Sequence, residues 1–178
     1  MRKLSNCELN RINIEEFKRI SKNPIVIVLD NIRSMHNIGS IFRTADAFLI
    51  EALYLCGITA KPPNKEIHKT ALGATESVKW VYYKTTNDAI QALKKNKYHI
   101  FAVEQTDSNV MLNNFNPVPY NKLAFIFGNE INGVESEIIE KVEGCIEIPQ
   151  HGTKHSLNVS VSAGILIWDI YFKLHKTI

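Results

Sequence analysis

The stretch IEIPQHGTKHSLNVSVSAG, residues 146–164, decides the interpretation of this chain, because it joins a strand-like run to an apolar helix through a polar loop. The run alternates apolar and polar residues as a short strand does, and Pro149 ends it. Ser156 precedes the apolar segment Leu157 to Trp168, so the pattern predicts a helix that Ser156 caps. From these residues alone, Ser156 and Asn158 belong either to a capped, solvated turn or to a loop that binds a ligand.

A second polar loop follows the strand-like run Pro24 to Leu29. The segment NIRSMHNIGSIFRTADAF, residues 31–48, opens what reads as a helix around Gly39. Arg43 would lie near the first turns of that helix, where a cation opposes the helix dipole. Arg43 is therefore either an ordinary surface arginine or a residue that binds a group outside the helix, such as a phosphate.

A third loop, FGNEINGV at residues 127–134, follows the apolar strand Leu123 to Phe127. Two glycines, Gly128 and Gly133, flank Glu130 there. Each of the three loops lies at the end of an apolar strand, and the carboxyl ends of parallel strands meet at one edge of a sheet. The three loops therefore predict one shared site at that edge.

The order NxGxxxRTADAF, FGNExxGV and IPxxGxxxSLNVSVSAG, from Asn37 to Gly164, resembles the three motifs of the SpoU/TrmH family. These proteins are RNA ribose 2′-O-methyltransferases of the SPOUT superfamily. The resemblance implies an α/β fold with a C-terminal trefoil knot, S-adenosylmethionine bound in the knot, and a homodimer. It also implies a minimal form that lacks an extra N-terminal RNA-binding domain. We expect a short helical extension at residues 1–22 and the methyltransferase domain at residues 23–178.

The resemblance also assigns site residues. It makes Arg43 the catalytic residue and implies four assisting side chains, those of Asn37, Glu130, Ser156 and Asn158. A guanidinium stays protonated in nearly any site, so we expect Arg43 to hold a phosphate and stabilise a developing alkoxide instead of acting as a base. Cofactor contacts are expected from Phe127, Gly128, Asn129, Glu130, Ile148, Pro149, Gln150, Ser156, Leu157 and Asn158. The two glycines of the second motif would allow the backbone to approach the cofactor closely.

Apolar runs and helical patterns alternate along the chain. Strands are predicted at 25–29, 52–56, 78–83, 99–103, 123–127 and 145–148, and helices at 14–20, 40–48, 88–95, 134–142 and 157–174. This alternation favours an α/β fold with a mostly parallel sheet and helices on both faces. Asn13 is a predicted helix cap, and residues 59–75 read as the longest irregular stretch, either a connector or a loop that faces RNA.

Composition constrains the class of protein more than its function. The chain has 178 residues, 45% of them hydrophobic, and a net charge of +3, which fits one globular domain but does not establish a nucleic-acid partner. Its three cysteines follow no disulfide or metal-binding spacing, so we expect free thiols, a cytoplasmic protein and no metal. No apolar window approaches the length that spans a bilayer.

The expected reaction is methyl transfer from S-adenosylmethionine, with S-adenosylhomocysteine as product, to a 2′-hydroxyl of structured RNA. A tRNA is the first choice and an rRNA the second. The alternative is a catalytically silent RNA-binding protein that retains the fold. A nucleotide-binding domain of Rossmann type ranks lower, because no G-x-G-x-x-G follows the first strand.

Overall fold

Seven strands form one sheet in which every pairing is parallel, in a computed structural model that describes residues 1–175. The order across the sheet is β3-β2-β1-β6-β4-β7-β5. The strands are β1 (Asn23–Asp30), β2 (Ile50–Cys56), β3 (Trp80–Tyr83), β4 (His99–Val103), β5 (Asn109–Met111), β6 (Leu123–Phe127) and β7 (Gly144–Glu147). Parallel pairing places the carboxyl ends of all seven strands at one edge.

Helices cover both faces of this sheet. They are α1 (Ile14–Arg19), α2 (Met35–Ala47), α3 (Lys65–Ala71), α4 (Ala74–Ser77), α5 (Thr86–Lys95), α6 (Ser136–Ile139) and α7 (Val159–Leu174). Alternate residues of β1 enter two separate cores, because successive side chains of a strand point to opposite faces. Ile27 packs with residues of α2 and α7, whereas Val28 packs with residues of α5 and α6. The predicted mostly parallel sheet with helices on both faces is therefore confirmed, while the trefoil knot stays an implication of the resemblance.

Several boundaries differ from the prediction. Helix α2 begins at Met35 instead of near Gly39, because the side chain of Ser34 accepts the backbone N–H of Asn37 and caps the helix earlier. Asn37 thus lies in the first helical turn. The cap predicted at Ser156 is wrong, since Asn158 caps α7 by accepting the backbone N–H groups of Ser160 and Val161.

The stretch 59–75 is not irregular throughout. It contains α3, whose cap Asn64 accepts the backbone N–H groups of Glu66 and Ile67, and it reaches the start of α4. Strand β5 was also missed, because three residues are too few to show a periodic pattern. The predicted cap at Asn13 is confirmed by its acceptance of the Glu16 N–H at 2.9 Å.

The segment before β1 is tied to the rest of the fold. Phe17 of α1 is only 4% exposed and belongs to the core that α2 and α7 share. The three cysteines are free: Cys7 is exposed and Cys56 and Cys145 are buried. Burial raises the pKa of the Cys56 thiol to about 12. Within residues 1–175 no helix has the length and apolar character needed to cross a membrane.

Candidate active site

A cavity of about 480 Å³ lies at the carboxyl ends of β4, β6 and β7. Nine of the ten residues predicted to contact a cofactor line it, namely Phe127, Gly128, Asn129, Glu130, Ile148, Gln150, Ser156, Leu157 and Asn158. The tenth, Pro149, does not. The second and third motifs therefore meet in one cavity, whose volume is in the range of small-molecule sites.

The loop after β4 also lines this cavity, through Glu104 and Gln105, although none of the three motifs predicts it. A signal was present, since the polar run EQTDS follows an apolar strand as the three motifs do. The amide of Gln105 donates to the carbonyl of His155 at 2.8 Å and so joins this loop to the third motif. The remaining lining residues are Val103, Ile131, Asn132, Gly133, Ile146, Glu147, Val159 and Ser162.

The two glycines of the second motif serve the packing of the protein itself. Gly133 has φ +66°, and a Cβ there would lie 2.1 Å from Oε2 of Glu104. A Cβ on Gly128 would lie 1.9 Å from the carbonyl carbon of Gly133. Glu104 also accepts the backbone N–H of Val134 at 2.9 Å. The glycines therefore let this turn close on itself and on Glu104, a role beyond the expected approach to a cofactor.

Three side chains, one from each motif, form a chain of hydrogen bonds beside the cavity. The amide of Asn37 donates to Oε1 of Glu130 at 3.0 Å, and the amide of Asn158 donates to Oδ1 of Asn37 at 3.2 Å. Glu130 also accepts the backbone N–H groups of Arg33 and Ser34 at 3.2 and 3.3 Å. The start of α2 is thus tied to the second motif and to the cap of α7.

The charge of Glu130 fixes the direction of this chain. Burial acts to raise the pKa of Glu130, but hydrogen bonds from its own backbone, from Arg33, from the Asn37 amide and from Ser34 outweigh it and lower that pKa. An ionised carboxylate only accepts hydrogen bonds, so Asn37 must present its NH₂ group to Glu130 and its oxygen to Asn158. Asn158 must then donate to Asn37 and keep its own oxygen for α7. Glu130 does not cap the following helix α6, which begins after Glu135.

Arg43 lies apart from this chain within one subunit. It is exposed on α2 and does not line the cavity, and its guanidinium makes no hydrogen bond or ion pair with another residue in the described range. Arg43 follows Asn37 by six residues, which places it about 9 Å further along the helix and roughly 240° around it. Ser156 does line the cavity, and its side chain is exposed.

The cavity has the character expected of a site for a cation. Three carboxylates line it, those of Glu104, Glu130 and Glu147, and no lysine or arginine among residues 1–175 does. The apolar residues Ile148 and Leu157 contribute to the same wall. S-adenosylmethionine combines a sulfonium cation with a planar adenine, so both the charge and the apolar wall of this cavity fit it.

Comparison with known proteins points to one family. The model of the SpoU rRNA Methylase family matches residues 24–168. The chain is 34% identical to an uncharacterized tRNA/rRNA methyltransferase of Borreliella burgdorferi, over 91% of this chain and 69% of that protein. It is 34% identical to the tRNA (guanosine(18)-2′-O)-methyltransferase of Aquifex aeolicus, over 82% of this chain and 67% of that protein. It is 32% identical to the enzyme of the same name from Thermus thermophilus, over 91% of this chain and 81% of that protein.

Solved structures share the fold. The TrmH/SpoU tRNA modifying enzyme of A. aeolicus superposes with a TM-score of 0.79 at 24% identity, covering 92% of this chain and 81% of that one. An AdoMet-bound rRNA methyltransferase from Sinorhizobium meliloti superposes with a TM-score of 0.78 at 24% identity, covering 86% of this chain and 59% of that one.

Proposed function

Since the chain belongs to the SpoU rRNA Methylase family, we propose that it transfers a methyl group from S-adenosylmethionine to a ribose 2′-hydroxyl of a tRNA. This membership confirms the family predicted from the three motifs. The observation that carries the proposal is the hydrogen-bonded chain from Glu130 through Asn37 to Asn158, which joins all three motifs beside the acidic cavity. The tRNA substrate is supported by the names of the relatives from A. aeolicus and T. thermophilus. The proposed place of action is the cytoplasm.

The cavity residues would hold the cofactor. S-adenosylmethionine supplies a methyl group that is already activated by its positive sulfur. Glu104 and Glu147 give the cavity a negative field that favours this cation over an uncharged ligand. Leu157 offers an apolar surface to the adenine, and the turn at Gly128 to Gly133 supplies backbone groups. Positioning of two reactants in this way can lower the activation free energy by about 7–11 kcal/mol.

The proposed role of Arg43 requires a second subunit. Its guanidinium has no partner among the described residues and is therefore available to an RNA phosphate or to another protomer. In a symmetric dimer, α2 of one subunit would bring Arg43 to the cavity of the other. There it would clamp the phosphate next to the target ribose and stabilise charge on the 2′-oxygen.

An exposed apolar face supports the dimer. Val161, Ile165 and Trp168 of α7 are 49%, 39% and 55% exposed and recur at helical spacing. Leu157, which lines the cavity, is 37% exposed just before this helix. Contiguous apolar surface of this kind marks an interaction site, and here it borders the cavity. A dimer through α7 would therefore place the active site at the subunit interface.

The function is tested with purified protein, unmodified tRNA and radiolabelled S-adenosylmethionine. Methylation of the RNA, followed by identification of a 2′-O-methylnucleoside by mass spectrometry, is the expected result. RNA binding without methylation, together with no calorimetric signal for S-adenosylmethionine, would favour the silent RNA-binding protein. Ribosomal RNA serves as the comparison substrate, and exclusive labelling of rRNA would overturn the choice of tRNA.

The role of Arg43 across the subunit interface is tested by mixing two inactive variants. Arg43→Ala keeps its own cavity, and Glu130→Ala keeps its Arg43. In a mixed dimer one complete site exists only if Arg43 serves the other subunit, so random pairing should restore about one quarter of wild-type activity. No restored activity, with mixed dimers demonstrated by mass spectrometry, would place Arg43 in its own subunit's site.

The α7 interface is tested separately: Trp168→Glu should make the protein monomeric in analytical ultracentrifugation.

A further inference from the structure

A second, larger concavity lies away from the proposed active site. It has a volume of about 740 Å³ and lies among the start of α3, α4 and the edge strand β3. Its lining combines flat or rigid apolar groups with polar and charged ones. The residues are Pro62, Pro63, Asn64, Lys65, His68, Thr75, Glu76 and Trp80. We call this concavity the β3 groove.

The basic side chains of the β3 groove have no partner within the described part of the chain. Neither Lys65 nor His68 makes a side-chain hydrogen bond or an ion pair with another residue in the described part of the chain. Lys61, next to the lining prolines, holds its ammonium 4.1 Å from the ring centroid of Tyr82. Within residues 1–175, Glu76 is the single carboxylate of the lining. With Lys61 counted beside the lining, two lysines face one carboxylate, and this balance favours an anionic occupant.

The apolar part of the groove has the shape that a base requires. Trp80 is only half-buried and offers an indole surface, and the rings of Pro62 and Pro63 line the same space. Single-stranded nucleic acid binds by stacking bases on aromatic side chains while cations track its backbone. We propose that the β3 groove binds an unpaired nucleotide of the substrate RNA, with the base against Trp80 and the phosphate near Lys65. This proposal rests on the proposed function.

The position of the groove suits one RNA that occupies both places. Strand β3 lies three strand positions from β6, whose carboxyl end lines the cavity. Strands are spaced about 4.8 Å apart, so the axes of β3 and β6 are about 14 Å apart across the sheet. A structured RNA that presents its target ribose to the cavity extends over such a distance. The groove would then select RNAs with an unpaired nucleotide near the methylated one, since proteins read RNA at unstacked bases.

Two sets of variants test the groove. The double variant Lys61→Glu/Lys65→Glu removes the cations, and Lys94→Glu/Lys95→Glu is the matched control, with the same charge change at exposed positions of α5 on the other face of the sheet. The dissociation constant of tRNA is measured by fluorescence anisotropy at several salt concentrations. Only the groove variant should lower the salt slope, by about 0.7 for each phosphate that the protein no longer neutralises.

The stacking contribution is tested at Trp80. Trp80→Leu should weaken tRNA binding about fivefold or more, and Trp80→Phe should recover much of the loss, because a π-face is restored. Binding of S-adenosylmethionine by calorimetry should be unchanged in every variant, which shows that the fold is intact. If wild-type protein binds and methylates tRNA while the groove variants match the control, the groove proposal is overturned and the proposed function stands. If wild-type protein neither binds nor methylates RNA, both fail.

Discussion

The sharpest prediction concerns Asn158, whose two polar atoms serve different ends. Its oxygen caps α7 by accepting the N–H groups of Ser160 and Val161, and its NH₂ group donates to Asn37. Asn158→Asp keeps the cap, because aspartate is as good a cap as asparagine and its charge suits a helix N-terminus. The same change removes the donor and places a carboxylate oxygen against the oxygen of Asn37. The Asn37 amide cannot rotate its oxygen away from this carboxylate without withdrawing its own NH₂ group from Glu130.

The expected magnitudes separate stability from catalysis. Asn158→Ala loses the cap and should cost about 1 kcal/mol, which for a chain of this size lowers the melting temperature by roughly 2–4 °C. Asn158→Asp and Asn158→Ser should stay within about 0.5 kcal/mol of the wild type. The turnover number of Asn158→Asp should nevertheless fall about a hundredfold, since displacement of a positioning group by about 1 Å can cost that much.

The assay pairs thermal unfolding, followed by circular dichroism, with initial rates of tRNA methylation at saturating cofactor and RNA. A stable Asn158→Asp protein with normal turnover would refute the reasoning, because the hydrogen bond to Asn37 would then be dispensable. If Asn158→Ala loses both stability and rate while Asn158→Asp and Asn158→Ser keep both, Asn158 serves only as a helix cap.

Three other experiments test the turn of the second motif, the ionisation of Glu130 and the burial of the cysteines. Gly133→Ala should destabilise the fold by about 1–2 kcal/mol in chemical denaturation, through its positive φ and its clash with Glu104, whereas Gly152→Ala, with open space around it, should change little. The folded-state pKa of Glu130 lies below its ordinary value, so Glu130 stays ionised well below neutral pH. Cofactor affinity, measured by calorimetry, should therefore be constant from about pH 8 to about pH 5 and fall only in more acidic solution. A loss of affinity between pH 7 and pH 6 would contradict this account. Iodoacetamide should modify Cys7 rapidly and the two buried thiols slowly, and equal labelling of all three by mass spectrometry would show that the buried positions open readily.

The sequence predicts two of the three strand-end loops that line the cavity, those after β6 and β7, and misses the loop after β4. Strands β4 and β6 have the predicted bounds, and the loop after β6 lines the cavity as expected. The parallel sheet explains this success, because strand identity alone fixes the edge at which each loop lies. The short strand β5 and the helix α3 were missed, since each is too short for its periodicity to stand out from the surrounding polar residues.

Side-chain partners were harder to predict than loop positions. The resemblance makes Glu130 an assisting side chain but does not predict its partners, which are Asn37 and the backbone before α2. Ser156 was expected to cap α7, and the cap is two residues later at Asn158. Both serine and asparagine are good caps, so local propensity does not choose between them. The choice depends on where α2 and the second motif lie, which is tertiary information.

The chain of hydrogen bonds from Glu130 to Asn158 has a consequence for how the protein folds. Its two links join residues separated by 93 and 121 positions in sequence. Contacts of such separation form late, because a long loop must close before they contribute any free energy. After dilution from denaturant, ellipticity should return before cofactor binding does. A polypeptide whose refolding stops before these contacts form would then have most of its helices and strands but no catalytic activity.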